Sequence, residues 1–129
     1  MLENSLIACV DDDAAVAEAI EGLLKAFGFK VETFSSAESF LTSGALDNAS
    51  CLITDVKLGG MSGLQLQTRL AEMGRQIPTI VITAFPEERL RQQAIDAGAV
   101  CFLGKPVTKM QLMGCVDLAL ERRSGEGVQ

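Results

Sequence analysis

The sequence predicts one α/β domain built on a doubly wound, five-stranded parallel sheet with helices on both faces. Five short runs of apolar and β-branched residues alternate with longer segments whose apolar residues recur at helical spacing. Parallel strands need a crossover segment between them, so this alternation favours a parallel sheet. The 129 residues fit a single hydrophobic core, because a chain of this length buries about 68% of its unfolded surface.

The strands are recognised by their β-branched and apolar content. They are predicted at Leu6–Val10, Lys30–Phe34, Cys51–Thr54, Thr79–Thr83 and Val100–Leu103. All but the second are almost uniformly apolar, as is typical of strands that helices cover on both faces. The second alternates charged and apolar residues, which suits a sheet edge. This favours the flavodoxin-like strand order 2-1-3-4-5 over the order 3-2-1-4-5, which would bury the second strand.

The helices are recognised by apolar spacing and by their start and stop signals. They are predicted at Ala14–Phe27, in a short segment after Ser35, at about Leu64–Met73, at Pro86–Ala97 and at about Lys109–Arg122. Gly28 and Gly98 are placed as C-terminal stops, and Pro86 as a first helical residue.

Local capping and turn signals complete the predicted elements. Ser35 with Glu38, and Thr108 with Gln111, have the spacing of capping boxes. The segment Gly44–Ser50 is predicted to be a polar turn.

Composition excludes several classes of function. A net charge of −6 opposes contact with nucleic acid phosphates, so direct nucleic acid binding is not expected. The lack of histidine excludes Ser-His-Asp and Cys-His catalysis and histidine-containing zinc sites. No apolar run approaches the roughly 20 residues that span a bilayer, and no signal sequence is recognisable. We expect a soluble, cytoplasmic protein without membrane contact.

The four cysteines lie in apolar stretches and form no C-x-x-C pair: Cys9, Cys51, Cys101 and Cys115. One alternative is a metal site formed by all four thiolates. Another is a pair of disulfides. Four buried thiols in a reducing cytosol are the preferred prediction.

Five polar residues lie at or just beyond the carboxyl ends of the predicted strands. Asp11 and Asp12 follow the first strand, Asp55 the third and Lys105 the fifth, while Thr83 ends the fourth. In open α/β sheets the ligand crevice lies outside these ends, at the switch point between the first and third strands. Three neighbouring carboxylates repel one another unless a cation neutralises them, and Mg²⁺ fits an all-oxygen ligand set best. The simpler alternative treats these acids as helix caps and turn residues, and Asp13 is predicted to be such a cap.

Together these residues resemble a known family, the receiver domain of two-component response regulators. The resemblance covers about Leu6 to Glu121. It is carried by Val10-Asp11-Asp12, Leu52-Ile53-Thr54-Asp55, Met61-Ser62-Gly63, Val81-Ile82-Thr83-Ala84, and Gly98-Ala99 leading to Lys105-Pro106. The segments Asp-Asp-Asp-Ala-Ala-Val and Gly-Met-Ser-Gly-Leu are similar to the corresponding segments in the receivers of nitrogen-fixation and LuxR-type transcription regulators.

The resemblance implies a phosphoacceptor and its metal. Asp55 would take a phosphoryl group from a phosphohistidine of a sensor histidine kinase. Asp12 would bind Mg²⁺ directly, Asp11 directly or through water, and the main-chain carbonyl of Lys57 would be a further protein ligand. Lys105 would pair with the phosphoryl oxygens.

The resemblance also implies a switch. Thr83 would donate its hydroxyl to the phosphoryl group, assisted by the Ala84 amide, and Phe102 would turn inward as Thr83 moves. Pro106 would follow Lys105 in a cis peptide. The signal would leave through the face formed by the fourth predicted helix, the fifth strand and the fifth helix.

The sequence departs from the family pattern near Asp55. Gly59 replaces the usual proline four residues after the acceptor, which makes the loop looser. Lys57 places a cation beside the site, where it would bind the phosphoryl group or hinder an attacking water, and Phe85 occupies another position that tunes dephosphorylation in the family. Both are predicted to alter the lifetime of the phosphorylated form.

The predicted function is a phosphorylation-activated signalling switch rather than an enzyme. Residues 1–123 would form the receiver domain, and 124–129 a tail or the start of a linker. The expected partners are the kinase, an output domain or effector protein, and a second copy in a phosphorylation-dependent homodimer. Two alternatives stay open: a pseudo-receiver that only binds proteins, and a metal-dependent phosphatase, which would typically carry Asp-x-Asp on its first strand.

Overall fold

A computed structural model describes the chain from residue 5 to residue 128. Its sheet has the order β2-β1-β3-β4-β5, and all neighbouring strands are parallel. The predicted fold class and strand order are therefore confirmed. The strands are β1 Leu6–Val10, β2 Lys30–Phe34, β3 Ala49–Asp55, β4 Thr79–Thr83 and β5 Cys101–Gly104. The helices are α1 Ala14–Ala26, α2 Ala37–Leu41, α3 Ala45–Asn48, α4 Gly63–Glu72, α5 Glu88–Asp96 and α6 Lys109–Val128.

The core forms on both faces of the sheet because successive strand residues point to opposite sides. On β1, Ile7 and Cys9 pack with residues of α1 and α6, whereas Ala8 and Val10 pack with residues of α2, α3 and α4. Every residue of β4 is buried. This two-sided cover explains the nearly continuous apolar character of the inner strands.

The polar turn predicted at Gly44–Ser50 is wrong in part. Ala45–Asn48 forms the short helix α3, and β3 already begins at Ala49. Ala45 and Leu46 are buried against the sheet, so two apolar residues within a polar segment are enough to fold it onto the core. At the other end of the chain, α6 extends past its predicted end near Arg122. Gln129, the last residue of the predicted tail, lies outside the described residues.

Most helix starts follow the predicted signals, with two exceptions. The first is Pro86, which is not the first helical residue: Glu87 is extended and α5 begins only at Glu88. Asp13 caps α1 by accepting from the amides of Ala15 and Val16. Thr108 and Gln111 form the predicted capping box, with both hydrogen bonds at 3.1 Å.

The second exception is the predicted capping box of Ser35 and Glu38. Ser36 is the actual N-cap of α2, and its hydroxyl accepts the Ser39 N–H at 3.1 Å. The helix starts one residue later because Ala37 is fully buried in the core. Glu38 is thereby free to point away from its own helix.

The prediction of four free thiols is wrong for one pair. Cys9 and Cys51 are free and buried, and burial raises the pKa of each thiol to about 12. Cys101 and Cys115 form a disulfide between β5 and α6, with their Cα atoms 6.1 Å apart. The packing of α6 against the sheet brings the two Cα atoms into disulfide range, which their sequence separation of 14 does not reveal.

Within residues 5–128, no helix combines the length and the apolar character needed to cross a bilayer.

Candidate functional site

Three carboxylates meet at the carboxyl edge of the sheet. The parallel pairing of β1 with β3 sets Val10 opposite Thr54, so the acids that come after these two residues become neighbours. One carboxylate oxygen each from Asp11, Asp12 and Asp55 lies within 4.8 Å of the others. The strand ends therefore bring together the acids that the sequence placed there.

Lys105 reaches into this cluster from the end of β5. Its Nζ lies 2.8 Å from Oδ2 of Asp55 and 3.0 Å from Oδ2 of Asp11. The Lys105 backbone N–H donates to the carbonyl of Thr83 at 2.8 Å, which ties the end of β5 to the end of β4. The peptide bond between Lys105 and Pro106 is cis, as expected.

Burial and the neighbouring charges have opposite effects on the pKa values of Asp11 and Lys105. Asp11 is only 2% exposed, and this burial raises its pKa. The Asp13 N–H, which donates to Asp11 Oδ1 at 2.9 Å, and the Lys105 ammonium lower that pKa without cancelling the effect of burial. Burial alone would lower the pKa of Lys105, but its hydrogen bond to Asp55 and its ion pairs with Asp55 and Asp11 outweigh that effect and raise the pKa. Lys105 therefore remains a cation beside the acids.

Asp55 is held in place from two sides. Its Oδ1 accepts the Lys57 N–H at 3.3 Å, and its Oδ2 accepts from Lys105. Gly63 stands directly behind its backbone: a Cβ there would overlap the Asp55 carbonyl oxygen and lie 3.0 Å from the Asp55 carbonyl carbon. The Gly63 N–H donates to the Val56 carbonyl at 2.9 Å, so the start of α4 sits against the end of β3.

The acidic triad fits a hard divalent cation. Its donors are all carboxylate oxygens, the ligand type that Mg²⁺, Ca²⁺ and Mn²⁺ prefer. Asp11 Oδ2 is buried and makes no hydrogen bond of good geometry with the described residues, although Lys105 Nζ is 3.0 Å away. A buried anionic oxygen with an unused lone pair is a suitable cation ligand.

The hydroxyl and aromatic residues singled out from the sequence, Thr83 and Phe102, lie on the neighbouring strands β4 and β5. Thr83 is buried at the end of β4, and its Oγ1 accepts the Phe85 N–H at 3.1 Å, which leaves its own hydrogen free to donate. Ala84, the next residue, is exposed. Phe102 on β5 is half-buried and packs against the apolar cluster that contains Val81 and Ala94.

Two contacts near the site go beyond the sequence predictions. The Lys57 ammonium lies 5.2 Å from the centroid of the Phe85 ring, a cation–π contact between the segments after β3 and β4. The Glu38 carboxylate accepts the Met61 N–H at 2.9 Å in the loop before α4. The adjacency of β3 and β4 in the predicted order could have indicated the first contact. Nothing in the sequence indicates the second.

Known proteins are similar to this chain in sequence and fold. A family model for the response regulator receiver domain matches residues 7–117. The chain is 42% identical over 119 residues to the response regulator protein TmoT of Ectopseudomonas mendocina, covering 92% of this chain and 54% of TmoT. It is 34% identical to the transcriptional regulatory protein FixJ of Azorhizobium caulinodans, covering 100% of this chain and 61% of FixJ. The chain spans about half the length of the curated relatives it matches.

Solved structures of response regulators have a similar fold. The crystal structure of FixJ-N matches with a TM-score of 0.82 at 31% identity, over 92% of this chain and 94% of that chain. The structure of the response regulator StyR matches with a TM-score of 0.86 at 35% identity, over 98% of this chain and 66% of that chain. The family match and the shared fold thus identify a signalling domain of two-component systems. The chain belongs to the response regulator receiver domain family.

Proposed function

We propose that this domain is a phosphorylation-activated switch that takes a phosphoryl group from a histidine kinase onto Asp55 in a Mg²⁺-dependent reaction. The observation that carries the proposal is the position of the Asp55 carboxylate. It lies within 4.8 Å of two further carboxylates and 2.8 Å from the Lys105 ammonium. This arrangement offers one nucleophile, a cation-binding set and a fixed positive charge for phosphoryl oxygens.

The chemistry depends on these positions. A carboxylate oxygen of Asp55 forms a bond to phosphorus as the bond from phosphorus to the donor imidazole breaks, which gives an acyl phosphate and a free imidazole. Asp12, Asp11, Asp55 and the Lys57 carbonyl would hold Mg²⁺, which supplies charge neutralisation when bound. Lys105 exchanges its contact with the Asp55 carboxylate for the new phosphoryl oxygens.

Thr83 would transmit the effect of phosphorylation to the rest of the domain. Its free hydroxyl hydrogen and the Ala84 amide would donate to the phosphoryl group, and Phe102 would turn inward as Thr83 moves. Phe102 lies on β5, so the change would reach the surface formed by α5, β5 and α6. That surface would bind an output domain, an effector protein or a second phosphorylated copy.

An apolar groove beside the site supports docking of an apolar surface of the kinase partner. It runs along the exposed side of α1 and is closed by the segment after β5, with Val16, Leu23, Pro106 and Val107 among its lining residues. Lys105 also lines the groove and lies 2.8 Å from Asp55, so a partner bound there would be close to the phosphoacceptor.

The longer relatives suggest an additional domain after this one. TmoT and FixJ are longer response regulators, and FixJ is a transcriptional regulator. We propose that residues 1–123 are the receiver domain and that 124–129 lead into an output domain of a longer regulator, which would contact nucleic acid in place of this domain.

Incubation with acetyl phosphate and Mg²⁺, with subsequent intact-mass measurement, tests the proposal. The expected result is a stable gain of one phosphoryl group. No gain would contradict the proposal and indicate a pseudo-receiver. Continuous turnover of acetyl phosphate without a stable adduct would instead indicate a phosphatase.

Mg²⁺ should stabilise the folded protein. Binding to the triad relieves carboxylate repulsion, and a ligand at 100 times its Kd adds about 2.7 kcal/mol, on the order of 10 °C in Tm. Asp12→Ala should abolish the shift in Tm because it removes one of the three carboxylates of the triad. Asp12 is exposed, so its loss should not disturb the core. Thermal unfolding with and without Mg²⁺ measures the shift, and Asp117→Ala, an exposed acid on α6, is the matched control. A wild-type Tm that ignores Mg²⁺ would refute a metal site here.

The contact between Lys57 and Phe85 should prolong the phosphorylated state by covering the acceptor against attacking water. Lys57→Asn and Phe85→Ala should each speed dephosphorylation by a factor of about 2 to 5, the equivalent of an exposed cation–π contact. The double variant should decay no faster than the more affected single variant. Phe27→Ala is the control, because Phe27 makes the same kind of contact with Lys109, at 5.2 Å. Decay rates equal to wild type in both single variants would remove this role.

A further inference from the structure

The side chain of Glu38, in the first turn of α2, reaches the loop that follows the acceptor strand β3. Its Oε2 accepts the Met61 N–H at 2.9 Å. Gly60 permits the close approach, since a Cβ there would lie 2.7 Å from the same oxygen. The Met61 N–H and, to a lesser extent, the Glu38 backbone N–H lower the pKa of this carboxyl group, and a hydrogen bond to its carboxylate form is charge-assisted.

The loop needs such a contact because its centre is weakly constrained by its own sequence. Gly59 and Gly60 are adjacent, and glycine loses more backbone entropy on ordering than any other residue. The loop ends are fixed by backbone hydrogen bonds, from Val56 N–H to Ile82 at 3.0 Å and from Gly63 N–H to Val56 at 2.9 Å. For the central residues 58–61, Glu38 supplies the one side-chain hydrogen bond in the described part of the chain.

The beginning of this loop belongs to the site. Lys57 donates its N–H to Asp55 Oδ1 at 3.3 Å. Its carbonyl is the main-chain ligand of the proposed cation. Motion of the loop centre would therefore disturb both the orientation of Asp55 and the set of cation ligands.

We propose that Glu38 is a positioning residue for the phosphorylation site: by holding the loop at Gly60 and Met61, it keeps Lys57 in place beside Asp55. This inference rests on the proposed function. The hydrogen bond from the loop to the Glu38 carboxylate restrains the loop backbone, as a less flexible residue than glycine at position 59 would do.

Three variants in the full chain test the role. Glu38→Ala removes the acceptor, and Glu38→Gln keeps an acceptor oxygen but removes the charge. Because Glu38 also stands in the first turn of α2, the Gln variant separates the loop contact from a charge effect on that helix. The third variant combines Glu38→Ala with Gly59→Ala. It restores stiffness at a position where a Cβ meets nothing within 4 Å.

The readouts are amide hydrogen exchange at Met61 in metal-free protein and Mg²⁺ affinity by calorimetry. Glu38→Ala should speed exchange and weaken Mg²⁺ binding by about fivefold, the equivalent of one lost hydrogen bond. Glu38→Gln should stay within about twofold of wild type, and the double variant should recover part of the lost affinity.

The outcomes separate this inference from the proposed function. Wild-type protein that binds no Mg²⁺ would overturn the proposed function and this role with it. Wild-type protein that binds Mg²⁺, together with unchanged affinity and exchange in Glu38→Ala, would overturn the positioning role alone. Equal losses in Glu38→Gln and Glu38→Ala would also overturn it, since the effect would then come from charge on α2.

Discussion

The Asp55→Asn variant is expected to fold but to take up no phosphoryl group from acetyl phosphate. An amide oxygen is a far weaker nucleophile than a carboxylate, so the step that forms the acyl phosphate is lost. Folding should survive because the side chain keeps its size, one charge leaves a crowded acidic cluster, and Lys105 retains Asp11 at 3.0 Å. Intact-mass measurement should show the adduct in wild type and none above background in the variant.

Two further measurements make the result specific to Asp55. Asp47→Asn alters an exposed acid on α3, paired with Arg75 at 2.7 Å, and should phosphorylate like wild type. Calorimetry should show that Asp55→Asn still binds Mg²⁺ through the remaining acids, although more weakly. Uptake of a phosphoryl group by Asp55→Asn, located by peptide mapping on another residue, would disprove the assignment of the acceptor.

The Gly63→Ala variant is expected to lose about 3 kcal/mol of stability or more, together with most of its phosphorylation. Its new methyl group would overlap the Asp55 carbonyl oxygen and lie 3.1 Å from Thr54 Oγ1. The obstacle is mainly backbone, which cannot rotate away as a flexible side chain can. Either α4 must retreat from the end of β3 or Asp55 must move, and both disturb the acidic cluster. Urea unfolding and the acetyl phosphate assay measure the two effects.

Gly22→Ala is the matched control for this prediction. Gly22 lies inside α1, and a Cβ there meets nothing within 4 Å. The substitution should stabilise the protein by about 1 kcal/mol, the difference in helix propensity between the two residues. If Gly63→Ala unfolded at the same urea concentration as wild type, the close contact between the start of α4 and the end of β3 would have to be abandoned.

The fold and the location of the candidate site could be predicted because both depend on the order of the strands. Once β1 and β3 are neighbours, Asp11 and Asp55 must meet at their carboxyl ends, and the place of Lys105 is set by the position of β5. Local signals were also sufficient where the partners are close in sequence, as in the capping box of Thr108 and Gln111.

Contacts between elements distant in sequence could not be predicted in this way. The disulfide of Cys101 and Cys115 depends on how α6 lies against β5, and burial of Ala37 shifts the start of α2 by one residue. That shift turns Glu38 from an expected capping residue into a partner of Met61, 23 positions further along the chain. In each case the deciding quantity is a distance across the packed core, which residue spacing does not contain.

The unequal edges of the sheet restrict how copies of this domain can aggregate. At one edge, β2 presents the exposed residues Lys30, Glu32 and Thr33, and charged side chains there discourage pairing with a foreign strand. The other edge is β5, a strand of four residues that forms part of the proposed output surface. Intermolecular β-strand addition would therefore have to use β5, where it would compete directly with the proposed signalling partners.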